Sequence, residues 1–304
     1  MNPESPSAVA ASRAPLTADA LAGIVGEGRQ LRRLEVVAAS PSTNTALLAA
    51  ASRAPEEWPA LAAMVADHQT AGRGRAGRSW ATPQGAALTV SFLLRPAVAA
   101  DTLGWAPLVV GLATVRALRD AGVGAYLKWP NDVVVEAGAK AIPGWGRWRK
   151  VVGILCEVVP GSAQADAGAA VVAGIGINVS QSAAELPVPH AASLATLGAA
   201  SLDRVALMRS LTAHLTDALA MWGSTPSSRG CTVRWKRHAH PSAGMSRSNS
   251  LAGPRSRDAS RVCRTRGHSW WRAATECMRC SRATYTCAAP EASPLLSKRF
   301  ADRW

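Results

Sequence analysis

Apolar and polar residues follow two different periods along residues 31–222, and these periods alternate along the chain. Seven stretches have the alternating or continuous apolar pattern of β-strands, and they cover residues 32–38, 61–69, 88–94, 126–129, 132–136, 151–158 and 170–179. Helical spacing follows the capping pair Ser42 and Thr43, and it also covers residues 102–121 and 202–222. The pattern predicts an α/β (α+β) fold, in which helices pack on a mixed β-sheet.

The composition indicates a globular protein with a buried core. The 304 residues are 48% apolar and 18% charged. No stretch approaches the roughly 20 uncharged apolar residues of a membrane span, and no basic-then-apolar signal pattern opens the sequence. We therefore expect a cytoplasmic protein without a membrane partner.

The net charge of +14 is concentrated in the C-terminal part of the chain. Residues 223–304 contain 16 Lys and Arg residues, 4 Asp and Glu residues, and five of the six cysteines. Residues 1–222 carry a net charge of only +2. This change in composition predicts a boundary near residue 222, between a globular part and a basic tail rich in Cys, Arg and Ser.

A glycine- and arginine-rich loop, GRGRAGR, occupies residues 72–78. Its glycines allow the backbone to approach a ligand closely, and the guanidinium groups of Arg73, Arg75 and Arg78 suit phosphate or carboxylate. The loop has neither the Gly-Lys-Ser/Thr end of a P-loop nor the glycine spacing of a dinucleotide fold. Taken alone, it is consistent with an anion-binding lid, a flexible basic loop or a nucleic-acid contact.

Three further segments place charged or amide side chains at strand ends. Residues 128–132, KWPND, hold a cation and a carboxylate at a proline turn. Residues 150–157, KVVGILCE, open a buried strand with a lysine, and residues 174–178, GIGIN, end another strand with an amide. Their structural alternatives are a tight hairpin with a surface ion pair, a strand with charged ends and a β-bulge.

The order and spacing of these segments resemble those of the biotin–protein ligases. The similarity rests on residues 42–44 (Ser-Thr-Asn), Gln69 with the GRGRAGR loop, Trp80 and the three segments above, and it covers roughly residues 32–222. It implies a class II synthetase-like catalytic domain over residues 31–222, preceded by a flexible segment at residues 1–30. Lipoate and octanoate ligases or transferases share this architecture and are the alternative within the superfamily.

The resemblance also implies roles for individual residues. It assigns catalysis to Lys150, Arg75 and Lys128, and a Mg²⁺ ligand to Asp132. Contacts with biotin are implied for Ser42, Thr43, Asn44, Gln69, Arg73, Gly74, Arg75 and Lys150. Contacts with the nucleotide are implied for Trp80, Lys128, Asn131 and Asn178.

The implied reaction has two steps and uses ATP, biotin and Mg²⁺. The biotin carboxylate is adenylated to biotinyl-5'-AMP, and a lysine of a biotin carboxyl carrier domain of acetyl-CoA or a related acyl-CoA carboxylase then accepts the biotinyl group. The resemblance leaves a homodimer open. Only about thirty residues precede the first strand, so we expect no N-terminal winged helix-turn-helix and no nucleic-acid partner through it.

Residues 223–304 depart from the family, which usually ends in a small β-barrel. If residues 267–272 are back-translated with GC-rich codons and read one base earlier, they give an apolar, strand-like sequence. We therefore hypothesise that a frameshift has replaced the barrel with a disordered tail. The weaker alternative is nucleic-acid binding, since Cys277 and Cys280 form a CxxC pair in a basic context.

Overall fold

A seven-stranded mixed β-sheet forms the centre of the domain. The computed structural model describes residues 11–137, 140–160, 162 and 169–224. The strands are β1 (Arg33–Ser40), β2 (Ala62–Gln69), β3 (Ala87–Leu94), β4 (Ala125–Lys128), β5 (Asp132–Glu136), β6 (Trp148–Val158) and β7 (Val171–Asn178). Their order in the sheet is β1-β2-β3-β7-β6-β5-β4. Only β1 and β2 pair in parallel, and the remaining pairs are antiparallel.

In the part of the chain that the structure describes, the sheet is surrounded by helices α1 (Ala18–Leu21), α2 (Thr43–Arg53), α3 (Ala106–Asp120) and α4 (Arg204–Ser224). Short 3₁₀ helices cover Ala22–Ile24, Arg75–Gly77, Ala100–Trp105 and Ala195–Leu197. Helices α3 and α4 cover one face of the sheet, where most of the apolar core lies, and α2 packs on the opposite face over a smaller apolar cluster. Among the described residues, none of the helices has the length and apolar character needed to cross a membrane.

The alternation of residue types along β7 separates these two faces. Ile175 and Ile177 are buried in the main core under α3 and α4, whereas Gly174 and Gly176 point to the face that carries α2. Successive residues of a strand face opposite sides of a sheet. The GIGIN segment is therefore a regular strand with an apolar side and a side without side chains, and its predicted alternative as a β-bulge is wrong.

The predicted mixed α/β architecture is confirmed, with differences at the ends of elements. Residues 102–121 were predicted as one helix, but the first turns are 3₁₀ and α3 begins at Ala106, just before Pro107. Helix α4 buries the predicted face, which consists of Val205, Met208, Leu211, Leu215 and Leu219. The predictions for residues 225–304, including the frameshifted or disordered tail, the missing barrel and the cysteine pair, lie outside the described residues.

Lys150 does not open its strand as expected, because β6 begins at Trp148. Trp148 and Arg149 still pair with β5, and the register then shifts so that Val133 faces Val152 whereas Val134 faces Lys150. This bulge adds one residue to β6. As a result, Lys150 and Gly153 lie on the same face of the sheet although they are three positions apart.

The first residues of the described chain form an ordered strap, which differs from the flexible segment expected for residues 1–30. Leu16, Leu21 and Ile24 are buried in the core. Arg13 forms a 2.7 Å ion pair with Glu185 and lowers the pKa of that carboxyl group to about 2. Buried apolar side chains and this ion pair order residues 11–24 against the sheet, a contribution that the Pro- and Ala-rich composition did not indicate.

Candidate functional site

Three glycines, Gly153, Gly174 and Gly176, form a floor without side chains on the face of the sheet that carries α2. A Cβ atom added to Gly176 would lie 2.5 Å from the Trp80 indole, and one added to Gly153 would lie 2.9 Å from it. A Cβ atom on Gly174 would lie 2.2 Å from Asn44 Oδ1. The glycines therefore leave space against the sheet that the Trp80 indole and the Asn44 side chain occupy.

Substituting Gly176 by alanine is expected to displace the Trp80 indole from the floor. Overpacking of this kind commonly costs about 1–3 kcal/mol, and because Trp80 is predicted to contact the nucleotide, ATP affinity should fall about tenfold. Isothermal titration of the full chain with ATP measures the effect. Gly104→Ala is the matched control, since an added Cβ there meets nothing within 4 Å; equal ATP affinities for the two variants would contradict the prediction.

A buried polar network lies at one end of the floor. The Thr43 backbone N–H and hydroxyl both donate to Gln69 Oε1, at 2.9 and 3.1 Å. The Ser91 hydroxyl lies 2.8 Å from Thr43 Oγ1 and donates to Asn44 Oδ1 at 2.6 Å. Ser91 is fully buried. The network thus joins three of the predicted biotin-binding residues into one set of amide and hydroxyl groups, which suits a neutral polar ligand.

Glu157 connects this network to the glycine- and arginine-rich loop. Asn44 Nδ2 donates to Glu157 Oε2 at 2.9 Å and to the Leu155 carbonyl at 3.0 Å. The other Glu157 oxygen accepts from Arg73 and forms an ion pair with it. Both hydrogens of the Asn44 amide group are used, so its oxygen must face Ser91. Glu157 therefore fixes the orientation of Asn44 and ties the loop to the end of β6.

Replacing Glu157 by glutamine is expected to weaken biotin binding about tenfold. The amide removes the charge that pairs with Arg73 and places a second donor against Asn44, and hydrogen bonds to charged groups contribute roughly 1.5–3 kcal/mol. Titration with biotin measures the loss. Glu136→Gln, which removes an exposed carboxylate 3.8 Å from Arg147, serves as the control; a Glu157→Gln variant that binds biotin like this control would contradict the role of Glu157.

A cluster of two lysines and one carboxylate lies at the other end of the floor. Lys150 Nζ is 2.6 Å from Asp132 Oδ1, and Lys128 Nζ is 3.9 Å from Asp132 Oδ2. Asp132 pairs with Gly153 across β5 and β6, which places its carboxylate beside the floor. Burial lowers the pKa of Lys128, Asp132 opposes this shift, and Lys150 and Arg78 add to it. The cluster carries excess positive charge and so attracts anions.

The remaining predicted residues have mainly structural contacts. Ser42 is the N-cap of α2, as its alternative interpretation predicted, and accepts from the Thr45 N–H. Asn131 donates to the Ile154 carbonyl at 2.7 Å, and Asn178 donates to the Ala192 carbonyl at 3.0 Å. These two amides hold the turn before β5 and the segment after β7, and their nucleotide contacts remain predictions.

The Gly74–Arg75 part of the loop forms a tight turn over the site. The Gly74 N–H donates to the Arg78 carbonyl at 2.6 Å, and Arg75 begins a single 3₁₀ turn with an exposed side chain. The Trp80 N–H donates to the Gly72 carbonyl at 2.8 Å. Trp80 thus closes the loop through its backbone and contacts the glycine floor through its indole, so it anchors the loop to the sheet. Its contact with the nucleotide stays a prediction.

The site has one carboxylate that could contribute to metal binding. Within residues 11–137, 140–160, 162 and 169–224, no group of three or more His, Cys, Asp or Glu side chains could hold a metal ion. Asp132 alone can supply one ligand, and Mg²⁺ commonly takes one or two carboxylates together with substrate phosphates. The cluster therefore fits Mg²⁺ that arrives with a nucleotide, and it does not fit an ion held by protein side chains alone.

Sequence reasoning did not identify Ser91, although its position carried a signal. Ser91 lies between Val90 and Phe92 in an apolar strand, where a buried hydroxyl needs a partner. The pairing of Ser91 with Gly174 depends on the β3–β7 register, which the sequence alone does not give. Glu157 was predicted only as the charged end of a strand, because its partner Arg73 is 84 positions away.

The chain is similar to proteins of one known family. Residues 36–178 match the model of the biotin/lipoate A/B protein ligase family. A biotin--[acetyl-CoA-carboxylase] ligase of Mycobacterium tuberculosis is 38% identical over 207 residues, which are 66% of this chain and 68% of that protein. The bifunctional ligase/repressor BirA of Bacillus subtilis is 33% identical over 150 residues, which are 48% of this chain and 42% of that protein.

A solved structure is also similar to part of the chain. The biotin protein ligase of Aquifex aeolicus in complex with biotin and ATP has 30% sequence identity and a TM-score of 0.49, and the match covers 64% of this chain and 72% of the other. Of the two relatives above, the chain spans about two thirds of the mycobacterial protein and less than half of the Bacillus protein.

Proposed function

Because the chain belongs to the biotin/lipoate A/B protein ligase family, we propose that it is an ATP-dependent biotin–protein ligase. It activates biotin as biotinyl-5'-AMP and transfers the biotinyl group to a lysine of a biotin carboxyl carrier protein. The observation that carries the proposal is the order of groups along the floor: the neutral Thr43–Ser91–Asn44 network, the Trp80 indole, and then the Lys128–Asp132–Lys150 cluster.

Biotin has a neutral urea at one end and a carboxylate at the other, and the floor has the same polarity. The urea would lie against Thr43, Asn44 and Gln69, whose hydroxyl and amide groups supply donors and acceptors. The carboxylate would point to Lys150, whose ammonium group is at the other end of the floor. Gly174 and Gly176 are two positions apart, so their Cα atoms span roughly 7 Å of the floor.

In the first step, a biotin carboxylate oxygen attacks the α-phosphorus of ATP. A bond forms between that oxygen and phosphorus, and the bond to the β-phosphate breaks and releases pyrophosphate. Both reactants are anions that repel each other, so the enzyme must align them and neutralise the charge that develops at phosphorus. Lys128, Lys150 and Arg75 provide the positive charge in this role.

Asp132 would hold Mg²⁺ together with the nucleotide phosphates, and the ion supplies further neutralisation of phosphate charge when bound. Asp132 pairs with Lys150 at 2.6 Å and with Lys128 at 3.9 Å. A bound nucleotide would compete for these ammonium groups, so Asp132 keeps them near the positions that the phosphates occupy.

In the second step, the uncharged amine of a carrier lysine attacks the carbonyl carbon of biotinyl-5'-AMP. An amide forms, AMP leaves with the bonding electron pair, and the amine loses a proton. No covalent enzyme intermediate is required. Cys156 is the one cysteine of the described residues, and burial raises the pKa of its thiol to about 12, so it is not a thiolate nucleophile at neutral pH.

The partner in this proposal is the carrier domain of acetyl-CoA carboxylase or a related acyl-CoA carboxylase. The assignment follows from the similarity to the mycobacterial biotin--[acetyl-CoA-carboxylase] ligase. We place the reaction in the cytoplasm because ATP and such a carrier are available there, and the proposal does not depend on a homodimer.

Biotin-dependent ATP–pyrophosphate exchange, followed by transfer to a purified biotin carrier domain, tests the proposed function. We expect exchange in the presence of biotin and no exchange in the presence of lipoate. Exchange with lipoate in place of biotin would identify the lipoate branch of the family. Retention of nucleic acid at low salt without any exchange would favour the alternative of a nucleic-acid-binding protein. Exchange without transfer would place the defect in carrier docking.

A further inference from the structure

A tryptophan on the connection between β5 and β6 contacts the lysine cluster from outside the motifs that predicted the site. Lys128 Nζ lies 4.6 Å from the centre of the Trp145 ring. The ring of Trp145 stacks on that of His190 with their centres 4.1 Å apart and their planes 10° from parallel. A cation this close to an aromatic ring is attracted by the ring quadrupole.

Trp145 is held in place by its own segment. The Trp145 and Gly146 N–H groups both donate to the Ile142 carbonyl, at 3.0 and 2.8 Å, and the Ile142 N–H donates to the Gly146 carbonyl at 2.7 Å. These bonds close a compact turn around the indole. Together with the stack on His190, they give Trp145 a defined position beside the cluster.

His190 links the same unit to the second lysine. The Lys150 N–H donates to the His190 carbonyl at 2.7 Å, and the Ala192 N–H donates to the Lys150 carbonyl at 2.8 Å. Residues 190–192 therefore lie beside β6 at Lys150, while the His190 ring supports Trp145. Residues 190–192 are connected to Lys128 through the stacked rings of His190 and Trp145, and to Lys150 through backbone hydrogen bonds. One segment is therefore connected to both lysines.

The ammonium group of Lys128 is held less closely by Asp132 than that of Lys150, so a second contact matters more for its position. Lys150 has a close ion pair with Asp132 at 2.6 Å, whereas Lys128 Nζ is 3.9 Å from the same carboxylate. A second carboxylate would hold Lys128 as well, but its negative charge would repel the phosphates of a nucleotide. An aromatic ring attracts the ammonium group without adding a net charge.

We infer that Trp145 is a positioning residue, which holds the Lys128 ammonium group at the phosphate end of the site for ATP. The inference rests on the proposed function, because that function supplies the nucleotide as the anion. Trp145 acts through Lys128 and need not touch the substrate. This role explains why a tryptophan occurs in the connection between β5 and β6, at a position that carries no predicted chemistry.

Two substitutions in the full chain separate the effect of the aromatic ring on ATP binding from the effect of its apolar volume. Trp145→Phe keeps an aromatic face, whereas Trp145→Leu keeps apolar volume without it. The Leu variant should bind ATP about tenfold more weakly and have a raised KM for ATP in biotin-dependent exchange. The Phe variant should retain most of the affinity, and biotin affinity should not change in either variant. Trp105→Leu, on the 3₁₀ helix before α3, is the control for loss of an exposed tryptophan.

A double-mutant cycle with Lys128→Met tests whether Trp145 acts through Lys128. In that background, Trp145→Leu should cause no further loss of ATP affinity. Equal losses for Trp145→Leu and Trp145→Phe, or full additivity with Lys128→Met, would overturn the inference. ATP titration tests the positioning role even if the wild-type chain performs no exchange. Absence of exchange would contradict the proposed function, and the ATP affinities of the variants would still decide the role of Trp145. A wild-type chain that binds no ATP would overturn both.

Discussion

Replacing Lys150 by methionine is expected to slow biotin-dependent ATP–pyrophosphate exchange by roughly 10²- to 10³-fold, the usual effect of removing one preorganised group that stabilises developing charge. Methionine keeps the length and apolar stem of lysine and removes only the ammonium group. That group lies 2.6 Å from Asp132 and 5.7 Å from the centre of the Trp80 ring, where the floor meets the cluster.

The expected size of this effect follows from the predicted position of Lys150 between the two substrates. Biotin affinity should also fall, because the substitution removes the charge that is predicted to lie opposite the biotin carboxylate. Lys128→Met should instead act mainly on ATP, since Lys128 is predicted at the phosphates. Titrations with biotin and with ATP, beside the exchange assay, separate the two lysines. If the two variants showed the reverse pattern of affinities, the assignments of Lys128 and Lys150 would have to be exchanged.

A matched control is available in the same connection between β5 and β6. Lys140 is exposed, so Lys140→Met removes one positive charge without altering the cluster. Exchange by this variant should remain near the wild-type rate. Since Lys150→Met leaves Asp132 without its close partner, thermal unfolding of the variant must be measured as well. A folded Lys150→Met variant with the activity of the Lys140→Met control would exclude Lys150 from the reaction.

The sequence predicted the residue types of the site better than their arrangement. Apolar residues and glycines alternate in the GIGIN segment, and β7 turns Gly174 and Gly176 to the same face of the sheet. Strand alternation is a local property, so it can be read from neighbouring residues. The position of Lys150 beside Gly153 could not be read in this way, because it depends on a bulge between β5 and β6.

Contacts between distant residues explain the other differences. Glu157 and Arg73 meet across 84 positions, and Trp145 meets Lys128 through a turn whose sequence contains no functional motif. Similarly, residues 1–30 were predicted to be flexible, whereas Arg13 and Leu16 form hydrogen bonds with Glu185 and Asp67, which are distant in the sequence. Periodicity predicts which face of an element is buried, and it does not predict which polar partner a side chain will find.

Arg204 also contacts residues that are distant in the sequence. Its side chain is only 2% exposed, and Nη1 forms a 2.8 Å ion pair with Asp67 on β2. The same guanidinium group donates to the carbonyls of Ser12, Ala14 and Ala87, at 3.1, 2.6 and 3.2 Å. Asp67 also accepts from the Leu16 N–H. One side chain therefore joins the start of α4 to the N-terminal strap and to two strands of the sheet.

Arg204→Met is expected to lower the free energy of unfolding by about 3–5 kcal/mol, because removing one partner of a buried ion pair leaves an uncompensated charge on Asp67 and unpaired carbonyl groups. Urea unfolding followed by circular dichroism measures the loss. Arg209→Met is the matched control on the same helix: Arg209 is exposed and donates only to the Ala20 carbonyl among the contacts described, so its loss should stay within about 0.5 kcal/mol. Equal stabilities for the two variants would contradict the prediction.

The strap also contains Arg13, which forms an ion pair with Glu185 on the segment that leads to His190. Weakened ATP binding by a folded Arg204→Met variant would therefore indicate that the strap supports the lysine cluster as well as the core.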